Sequence, residues 1–370
     1  MKKPIKIGVD GRLLQGNLTG VGKYVLNLIN YMTNHDERFA IIVVTNRALS
    51  EQVNNRKIKI VTAQKKYAKV KPMIWSRFFS SKLLNKQNVD IFLSGDSFLP
   101  YFLKTKNIIS VVHDINQILV PETMSMLRLL TTKLFFKKDL AKARLIVSNS
   151  FGTAAKLERY YNRKTDVVIY PITDKWYKKL GEEEVVDKLS AININFPYIL
   201  TVATEEPRKN LLKTLNAFIA LKKENKIPLH NLLLVGSKGW KSKSLEQLIA
   251  GRSDVIRMGY IGDAVMPYLY NGADIFVFPS KYEGFGIPPR EALLCGTKVI
   301  VSDIPELREA TYNEGTYINA DDEEEFKNAI LHNLNEKHKK VDPANFFTSD
   351  QLENFLPCLK DRFASLVLAN

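Results

Sequence analysis

Residues 273–296 read ADIFVFPSKYEGFGIPPREALLCG, and this stretch decides the fold. Its opening apolar run predicts a strand buried on both faces, and PPREALLCG predicts a helix with proline in its first turn and glycine at its end. Gly284 and Gly286 leave bare backbone between these two elements. Glu283 lies in the loop, and Glu291 falls in the predicted first helical turn. The stretch therefore predicts a parallel strand whose carboxyl end meets a helix N-terminus.

Similar apolar runs occur along the rest of the chain, with amphipathic helical stretches between them. They are IKIGVD, FAIIVVT, KIKIVTA, VDIFLSG, NIISVVHD, RLIVSNS and DVVIYPI, then YILTVAT, NLLLVGS, VIRMGYI, ADIFVFP and KVIVSD. This alternation predicts an α/β fold of two Rossmann-like domains, whose parallel sheets face a central cleft. The charged segment TDKWYKKLGEEEVVDKLSAININFP interrupts the pattern. We place the domains at 1–185 and 186–350, followed by a C-terminal helix at 351–370.

Composition and charge narrow the function classes. The chain has 370 residues, 45% of them hydrophobic, so it can bury a large core and a disordered protein is excluded. Its two cysteines lie far apart without a partner motif, which argues against a disulfide framework or a thiolate metal site. The formal net charge of +15 indicates an anionic partner: nucleic acid, a phosphorylated small molecule or an acidic lipid surface. No apolar stretch approaches the roughly 20 residues of a spanning helix, so we expect a cytoplasmic protein, at most peripheral to the membrane.

Two cations mark the turn after the strand YILTVAT. In EEPRKNLLKTLNAFIAL, the spacing of Leu211, Leu215 and Phe218 predicts an amphipathic helix, and Arg208 and Lys209 lie where the chain enters it. Cations at a helix N-terminus are unfavourable against the macrodipole, so they require a compensating anion such as a diphosphate. The alternative is that both are ordinary solvated cations.

The acidic loop has groups suited to a nucleotide that carries a sugar. The helix start offers backbone amides to a phosphate, and Gly284 and Gly286 let a ligand approach the backbone closely. Glu291 can accept hydrogen bonds from a ribose diol, and Glu283 can reach hydroxyls of the group that the phosphate carries. The alternative is that Glu291 only complements the macrodipole and that Glu283 is solvated.

The first glycine-rich loop, GRLLQGNLTGVGKY, fits no standard nucleotide motif. Five residues separate Gly16 from Gly22 and Lys23 is followed by Tyr24, so the P-loop pattern fails, and no G-x-G-x-x-G is present. Backbone amides at this helix start can still hold a phosphate or a sugar hydroxyl. The alternative is that Gly20 and Gly22 only permit a tight strand-to-helix turn.

Taken in order, these motifs resemble family 4 of the glycosyltransferases, enzymes with the two-Rossmann-domain architecture called GT-B. EGFGIPPRE, from Glu283 to Glu291, matches the E-x7-E signature of the family between strand and helix. The segments TGVGKY, VVHD, VSNSF, EEPRKN, LVG and GYI also resemble family landmarks. By the same resemblance, the C-terminal helix is expected to cross back to the first domain.

The resemblance implies transfer of a sugar from a nucleotide diphosphate sugar, with retained anomeric configuration and with no metal or other cofactor. Arg208 and Lys209 would bind the diphosphate and stabilise the leaving group, while Glu291 would bind the ribose. The donor sugar and phosphate would contact Glu283 and the amides of Gly284, Phe285, Gly286 and Ile287. Gly20 would approach the phosphate from the first domain. The family pattern favours mannosyl or rhamnosyl transfer from a GDP, dTDP or UDP donor, in surface polysaccharide or lipopolysaccharide biosynthesis.

His113 ends the apolar run of SVVHDI in the first domain and is followed by Asp114. A lone histidine in this setting is more often structural than catalytic. Its position at the carboxyl end of a strand favours a site role, and the resemblance matches it to the histidine near the donor sugar. The predicted catalytic residues are His113, Arg208, Lys209 and Glu283.

Two basic segments of the first domain indicate how an acceptor is reached. Residues 64–86 interleave seven lysines and arginines with aromatic and leucine side chains, and residues 128–144 have a similar character. Both predict a surface that binds an anionic membrane, so we expect a glycan or lipid-linked acceptor at the inner face of the plasma membrane. The alternative is that the apolar residues are core and the lysines a solvated face.

Two other functions compete with this prediction. A nucleotide-sugar epimerase of the GT-B fold would need its own acid and base groups, and five histidines leave few candidates. A non-catalytic basic module for nucleic acid is disfavoured, because the aromatic residues cluster in apolar runs and no nucleic-acid motif is present. We therefore expect neither a metal site nor a nucleic-acid partner.

Overall fold

The computed structural model describes residues 3–239, 243–336 and 350–369. These residues divide into two compact units. The first unit comprises those within 1–117, 125–172 and 349–370, and the second comprises those within 118–124 and 173–348. This division falls before the predicted boundary at residues 185 and 186, because Tyr177, Val185 and Leu189 pack in the apolar core of the second unit.

The first unit is built on a parallel sheet, with seven strands among the described residues. They are β1 (Ile5–Asp10), β2 (Phe39–Thr45), β3 (Ile58–Thr62), β4 (Ile91–Ser94), β5 (Ile108–Val112), β6 (Leu145–Ser148) and β7 (Val167–Val168). Their order is β3-β2-β1-β4-β5-β6-β7, so the order reverses between β1 and β4. β1 has a neighbour on each side, and all of its residues except the partly buried Lys6 are buried.

Helices connect these strands. They are α1 (Gly20–His35), α2 (Pro72–Ile74), α3 (Ser80–Lys86), α4 (Asn116–Leu119), α5 (Met126–Lys142) and α6 (Phe151–Tyr161), with a π-helical turn at Trp75–Phe79. Helix α1 begins where it does because the Thr19 side chain accepts a hydrogen bond from the Gly22 amide. Its apolar face packs in the core of the unit through Val25 and Ile29.

The second unit repeats this architecture, with six parallel strands in the part of the chain that is described. The strands are β8 (Tyr198–Val202), β9 (Asn231–Val235), β10 (Val255–Gly259), β11 (Ile275–Phe278), β12 (Val299–Ser302) and β13 (Thr316–Ile318). The helices are α7 (Glu182–Ser190), α8 (Leu211–Lys223), α9 (Lys243–Ile249), α10 (Met266–Asn271), α11 (Ile287–Leu294), α12 (Pro305–Ala310) and α13 (Glu323–Asn335). The order β10-β9-β8-β11-β12-β13 reverses between β8 and β11.

The two parallel sheets confirm the predicted α/β fold, and every run predicted as a strand contains one. The sequence analysis missed β13, a three-residue strand at the sheet edge whose first two residues are only partly buried. Such a short and half-polar segment carries little apolar pattern. Within the described residues, no helix is long and apolar enough to cross a membrane.

The C-terminal segment forms α14 (Asp350–Arg362) and α15 (Ala364–Ala369), both of which belong to the first unit. Helix α14 packs against α1 and β7 through Phe355 and Leu359, which are fully buried. The Lys360 ammonium lies 2.9 Å from the Asp36 carboxylate, and the Gln351 side chain accepts a hydrogen bond from the Tyr170 amide. The last helix is therefore part of the core of the N-terminal unit.

The basic segment 64–86 does not expose all the side chains that the sequence analysis assigned to a membrane face. Trp75 and Leu84 are buried in the unit. Arg77 is also buried, where it pairs with Asp139 of α5 and donates a hydrogen bond to the Leu99 carbonyl. For these three side chains the prediction is wrong, because Trp75 and Arg77 of the π-helical turn and Leu84 of α3 are buried in the unit. The side chain of Arg128, which opens the second basic segment, lies outside the described residues.

Candidate functional site

The reversal of strand order in the second unit brings two loops together. β8 leads into a turn of 3-10 helix at Pro207–Lys209 and then into α8, whereas β11 leads into the loop 279–286 and then into α11. β8 and β11 are neighbouring parallel strands, so both loops lie at the same sheet edge. The Lys281 amide donates a hydrogen bond of 2.9 Å to the Arg208 carbonyl. The topology thus places the predicted cations beside the acidic loop.

Arg208, Lys209 and Glu283 form one ion-pair cluster, here called the clamp. Lys209 Nζ lies 2.7 Å from Glu283 Oε1, and Arg208 Nη1 lies 2.7 Å from Glu283 Oε2. Arg208 also donates to the Tyr282 carbonyl at 2.8 Å, and the Lys209 ammonium lies 4.7 Å from the centre of the Phe278 ring. The side chains of the two cations are only 15% and 12% exposed, so the solvated alternative is wrong. The anion that compensates them is Glu283.

The buried carboxylate of Glu283 stays ionised because two cations pair with it. Burial by itself would raise the pKa of Glu283, but the charges of Arg208 and Lys209 outweigh this effect and lower the pKa to about 2. Burial lowers the pKa of Lys209, and Glu283 acts in the opposite direction. Glu283 is thus ionised at neutral pH, and the alternative of a solvated Glu283 is wrong, since the residue is 7% exposed.

Because the pKa of Glu283 is lowered from 4.5 to about 2, the free energy of unfolding is expected to change with pH in this range. A carboxylate with a folded pKa near 2 and an ordinary value of 4.5 contributes about 3 kcal/mol to the free energy of unfolding. That contribution is complete above pH 4.5 and is lost as the pH falls toward 2. We expect the stability difference between the wild type and Glu283→Gln, measured by urea unfolding, to shrink between pH 5 and pH 3. A difference that stays constant over this range would show that Glu283 does not carry the charge.

Helix α11 begins at Ile287 because of the conformation of Gly286. Its φ is +118°, and a Cβ at this position would lie 2.6 Å from Leu307 Cδ2. Pro288 and Pro289 occupy the first turn and have no N–H, so the helix start provides fewer donors than predicted. The predicted phosphate contacts of the amides of Gly284, Phe285, Gly286 and Ile287 stay a prediction.

Glu291 lies elsewhere on the helix than predicted. It is the fifth residue of α11, and no acidic residue is present in the first turn. The predicted first-turn position is wrong because Gly286 sets the helix start at Ile287. The alternative that Glu291 only complements the helix macrodipole also required a first-turn position, so it no longer applies. Glu291 accepts a hydrogen bond of 2.9 Å from Tyr270 Oη. Burial and then the Glu291 charge raise the pKa of Tyr270, so this tyrosine stays a donor.

The structure separates the two acidic residues that precede the clamp. Glu205 is buried and pairs with Arg257, whose Nε lies 3.1 Å from Glu205 Oε1. Glu206 instead lies 3.6 Å from Arg208 Nη2. Glu206 therefore helps to orient the clamp arginine, whereas Glu205 ties the loop to β10.

Gly20 lies in the first unit, where it is the exposed first residue of α1. Gly22 has a packing role, because a Cβ at this position would lie 2.4 Å from the Leu13 carbonyl oxygen. The alternative that a glycine only permits a tight strand-to-helix turn is therefore sufficient to explain Gly22. The predicted phosphate contact of Gly20 stays a prediction.

His113 lies at the carboxyl end of β5 in the first unit. Its Nε2 is 2.8 Å from the Gly95 carbonyl oxygen, and a carbonyl can only accept. Burial lowers the pKa of His113, with the Gly95 hydrogen bond and the charge of Asp114 opposing, so the ring is neutral at pH 7. The proton is therefore on Nε2, which leaves Nδ1 as a hydrogen-bond acceptor for a hydroxyl group.

Sequence reasoning missed a charge cluster at the same edge of the first sheet. Arg12 Nη2 lies 2.6 Å from Asp96 Oδ2, and Arg12 Nε lies 3.4 Å from Asp10 Oδ2. Ser76 also donates to Asp10. Asp10 ends β1 and Asp96 follows β4, the two strands at the reversal point. The sequence signal for this cluster was an aspartate at the end of one predicted strand, Asp10, and another directly after a second predicted strand, Asp96.

No group of three or more His, Cys, Asp or Glu side chains within the described residues is arranged to hold a metal ion. The cations and carboxylates at the two sheet edges are instead paired with each other. Both cysteines of the chain, Cys295 and Cys358, are free.

Comparison with known proteins identifies a family domain. Residues 196–336 match the model of the family described as glycosyl transferases group 1. This range contains the whole clamp and helix α11. A solved structure, sucrose-phosphate synthase from Thermosynechococcus elongatus, aligns with a TM-score of 0.69 at 19% identity, covering 100% of this chain and 96% of that chain. At this identity the likeness concerns the fold alone.

Two curated relatives extend the match into the first unit. The O-antigen chain mannosyltransferase B of Escherichia coli is 30% identical over 250 residues, which are 66% of this chain and 65% of that protein. The O-antigen chain mannosyltransferase RfbU of Salmonella typhimurium is 27% identical over 278 residues, 73% of each chain. This chain therefore covers just under two thirds of the length of the first relative. Residues 196–336 are therefore similar to the glycosyl transferases group 1 domain, and the two parallel-sheet units have the GT-B fold.

Proposed function

We propose that this protein transfers a hexosyl residue, with mannose or rhamnose favoured, from a nucleotide diphosphate sugar to a glycan or lipid-linked acceptor of a surface polysaccharide. The observation that carries the proposal is the clamp, in which two partly buried cations meet a buried carboxylate next to the start of α11. The cations match a diphosphate, and the carboxylate matches a sugar hydroxyl. Mannose is favoured because both curated relatives are named O-antigen chain mannosyltransferases.

The clamp suits the departure of a nucleoside diphosphate. As the bond between sugar C1 and the β-phosphate oxygen breaks, negative charge builds on that phosphate, where Arg208 and Lys209 would stabilise it. The acceptor oxygen forms its bond to C1 on the same face, and its proton passes to the departing phosphate oxygen. The anomeric configuration is thereby retained. We propose that no metal is required, because the two cations supply the charge that a divalent ion supplies elsewhere.

Glu283 has two successive roles in this proposal. In the ligand-free protein its carboxylate oxygens pair with both cations at 2.7 Å. An incoming diphosphate competes with Glu283 for these cations, because its oxygens seek the same N–H groups. As the cations turn to the phosphate, the Glu283 carboxylate becomes an acceptor for hydroxyls of the donor sugar. Donor binding is thus coupled to a rearrangement of one buried ion pair.

Thermal unfolding with nucleoside diphosphates tests the donor site. We expect one of GDP, dTDP, UDP and CDP to raise the Tm, with no effect of EDTA, because ligand at 100 times its Kd adds about 2.7 kcal/mol to stability. The matching sugar nucleotide should then release nucleoside diphosphate only with an acceptor, and NMR should show a retained anomeric linkage.

Two outcomes would contradict the proposal. Absence of a Tm increase with all four nucleotides would remove the donor-binding assignment. Conversion of the sugar nucleotide to an epimer without any acceptor would favour the epimerase alternative.

We also propose that the first unit docks on an anionic lipid surface through an aromatic patch. The patch consists of Phe78, Phe79, Tyr101 and Phe102, whose side chains are 40–64% exposed. Phe78 stacks on Tyr101 with ring centres 6.3 Å apart, and Tyr101 contacts Phe102 at 5.2 Å. Exposed lysines lie in residues 64–86 and 104–106: Lys65, Lys66, Lys69, Lys71, Lys82, Lys86, Lys104 and Lys106. Aromatic side chains beside lysines are typical of proteins that bind acidic headgroups.

Co-sedimentation with phosphatidylglycerol vesicles at low salt tests this docking. We expect the wild type to bind and Phe78→Ser/Phe102→Ser to bind at least tenfold more weakly, since burying each ring contributes roughly 1.5–3 kcal/mol. Leu229→Ser removes an apolar side chain that is 75% exposed in the second unit and serves as the matched control. Equal binding of the patch variant and the control would refute the docking surface.

A further inference from the structure

A separate cavity opens at the carboxyl edge of the second sheet. Its volume is about 420 Å³, within the roughly 300–1,000 Å³ of small-molecule sites. The walls come from the ends of β11, β12 and β13 and from the starts of α8 and α13. Arg208, Lys209 and Glu283 do not line it. The cavity thus adjoins the clamp, because Asn210 follows Lys209 and the Lys281 amide donates a hydrogen bond to the Arg208 carbonyl, but the charged side chains of the clamp do not line it.

Three buried polar groups on residues that line this cavity have no hydrogen-bond partner. They are Asn210 Nδ2, on a residue 9% exposed, Ser280 Oγ, on a fully buried residue, and Ser302 Oγ, on a residue 4% exposed. Asn210 has φ of +56° and joins the 3-10 turn to α8, so its position is set by the backbone. Buried polar groups are normally satisfied, so unpaired groups on residues that line one cavity indicate a partner that enters from outside.

The charges of the wall indicate the chemistry of that partner. The carboxylates of Asp303, Asp321 and Glu325 line the cavity, with Lys281 as a single cation among its lining residues. Arg308 pairs with both carboxylate oxygens of Asp303, so the negative charge that remains comes from Asp321 and Glu325, and it would repel an anion such as phosphate. A neutral polyol has hydroxyls that donate to carboxylates and oxygens that accept from Asn210 and Ser302. The wall therefore matches vicinal hydroxyl groups better than it matches a charged ligand.

We propose that this cavity binds a neutral saccharide, through vicinal hydroxyls held between Asn210 and Ser302 on one side and the carboxylates on the other. This site goes beyond the proposed transfer reaction, because it holds sugar without a nucleotide. Its ligand is either a single sugar or part of a longer glycan, which share this chemistry. A disaccharide that binds more tightly than its monosaccharide identifies the glycan as the ligand.

Saturation-transfer-difference NMR of the full chain tests the proposal, with methyl mannoside and a mannose disaccharide as probes. We expect a signal with the wild type that falls at least fivefold in Asn210→Asp and in Ser302→Ala. Asn210→Asp keeps the side-chain shape and tolerates the left-handed backbone but loses the Nδ2 donor. Asn225→Asp is the matched control, because Asn225 has φ of +55° at the exposed end of α8.

The outcomes separate this site from the clamp. A signal lost in both cavity variants and kept in Asn225→Asp and Lys209→Met supports the cavity, whether or not transfer activity is found. A signal lost in Lys209→Met but kept in Asn210→Asp assigns the saccharide to the clamp and overturns the proposal. No signal with either probe shows that only water fills the cavity, which also overturns it.

Discussion

Replacing Lys209 by methionine is expected to lower kcat for sugar transfer about 10²–10³-fold, the range found when one preorganised charge-stabilising donor is removed. The Lys209 ammonium is 12% exposed and lies 2.7 Å from Glu283. Methionine keeps much of the length and apolar character of the side chain but removes the charge. Because negative charge develops on the leaving diphosphate in the transition state, the loss should appear in kcat more than in KM. Nucleoside diphosphate release under saturating donor measures this effect.

The control for this variant is Lys223→Met at the exposed end of α8. It removes one positive charge from the same unit without touching the clamp, so its kcat should equal that of the wild type. Thermal unfolding should show that Lys209→Met remains folded, because Glu283 keeps its contact with Arg208. A folded Lys209→Met protein with unchanged kcat would exclude Lys209 from leaving-group stabilisation.

Replacing Gly286 by alanine is expected to impair both stability and transfer. The backbone φ of +118° would cost a non-glycine residue about 1–3 kcal/mol. The new Cβ would also lie 2.6 Å from Leu307 Cδ2 and 3.2 Å from Ala310 Cβ, and both residues are fully buried in α12. The loop before α11 must therefore shift, and a displacement of about 1 Å near a reacting group can lower the rate about 10²-fold. Urea unfolding and nucleoside diphosphate release measure the two effects.

Two other glycines separate backbone strain from the steric clash. Gly251 has φ of +76° with open space around its Cβ position, so Gly251→Ala should show the strain alone. Gly262 has open space and no positive φ, so Gly262→Ala should be nearly neutral. If Gly286→Ala is no worse than Gly251→Ala in stability and keeps full activity, then the contact with α12 does not position the loop.

The site could be predicted from sequence as far as its parts follow directly on apolar runs. Arg208, Lys209 and Glu283 each come after a run that forms a strand, so their place at a sheet edge follows from local pattern. Their pairing could not be predicted, because it depends on β8 and β11 being neighbours, which the order along the chain does not show. The wrong position for Glu291 has a different cause: the helix begins at Ile287, one residue before the predicted start at Pro288, and a helical pattern does not specify its first residue.

The class of fold and the identity of the charged loops could be predicted from sequence alone. Both depend on short-range physics: buried parallel strands need apolar runs, and helices need apolar residues at helical spacing. The folded chain was needed to show that Glu283 neutralises both clamp cations, that Arg77 is buried beside Asp139, and that Arg12 joins Asp10 and Asp96. Except for the pairing of Arg12 with Asp10, which is two residues away, each of these contacts joins residues far apart in the chain. Coulombic and hydrogen-bonding partners of this kind are chosen by strand order and burial, which no local pattern in the sequence encodes.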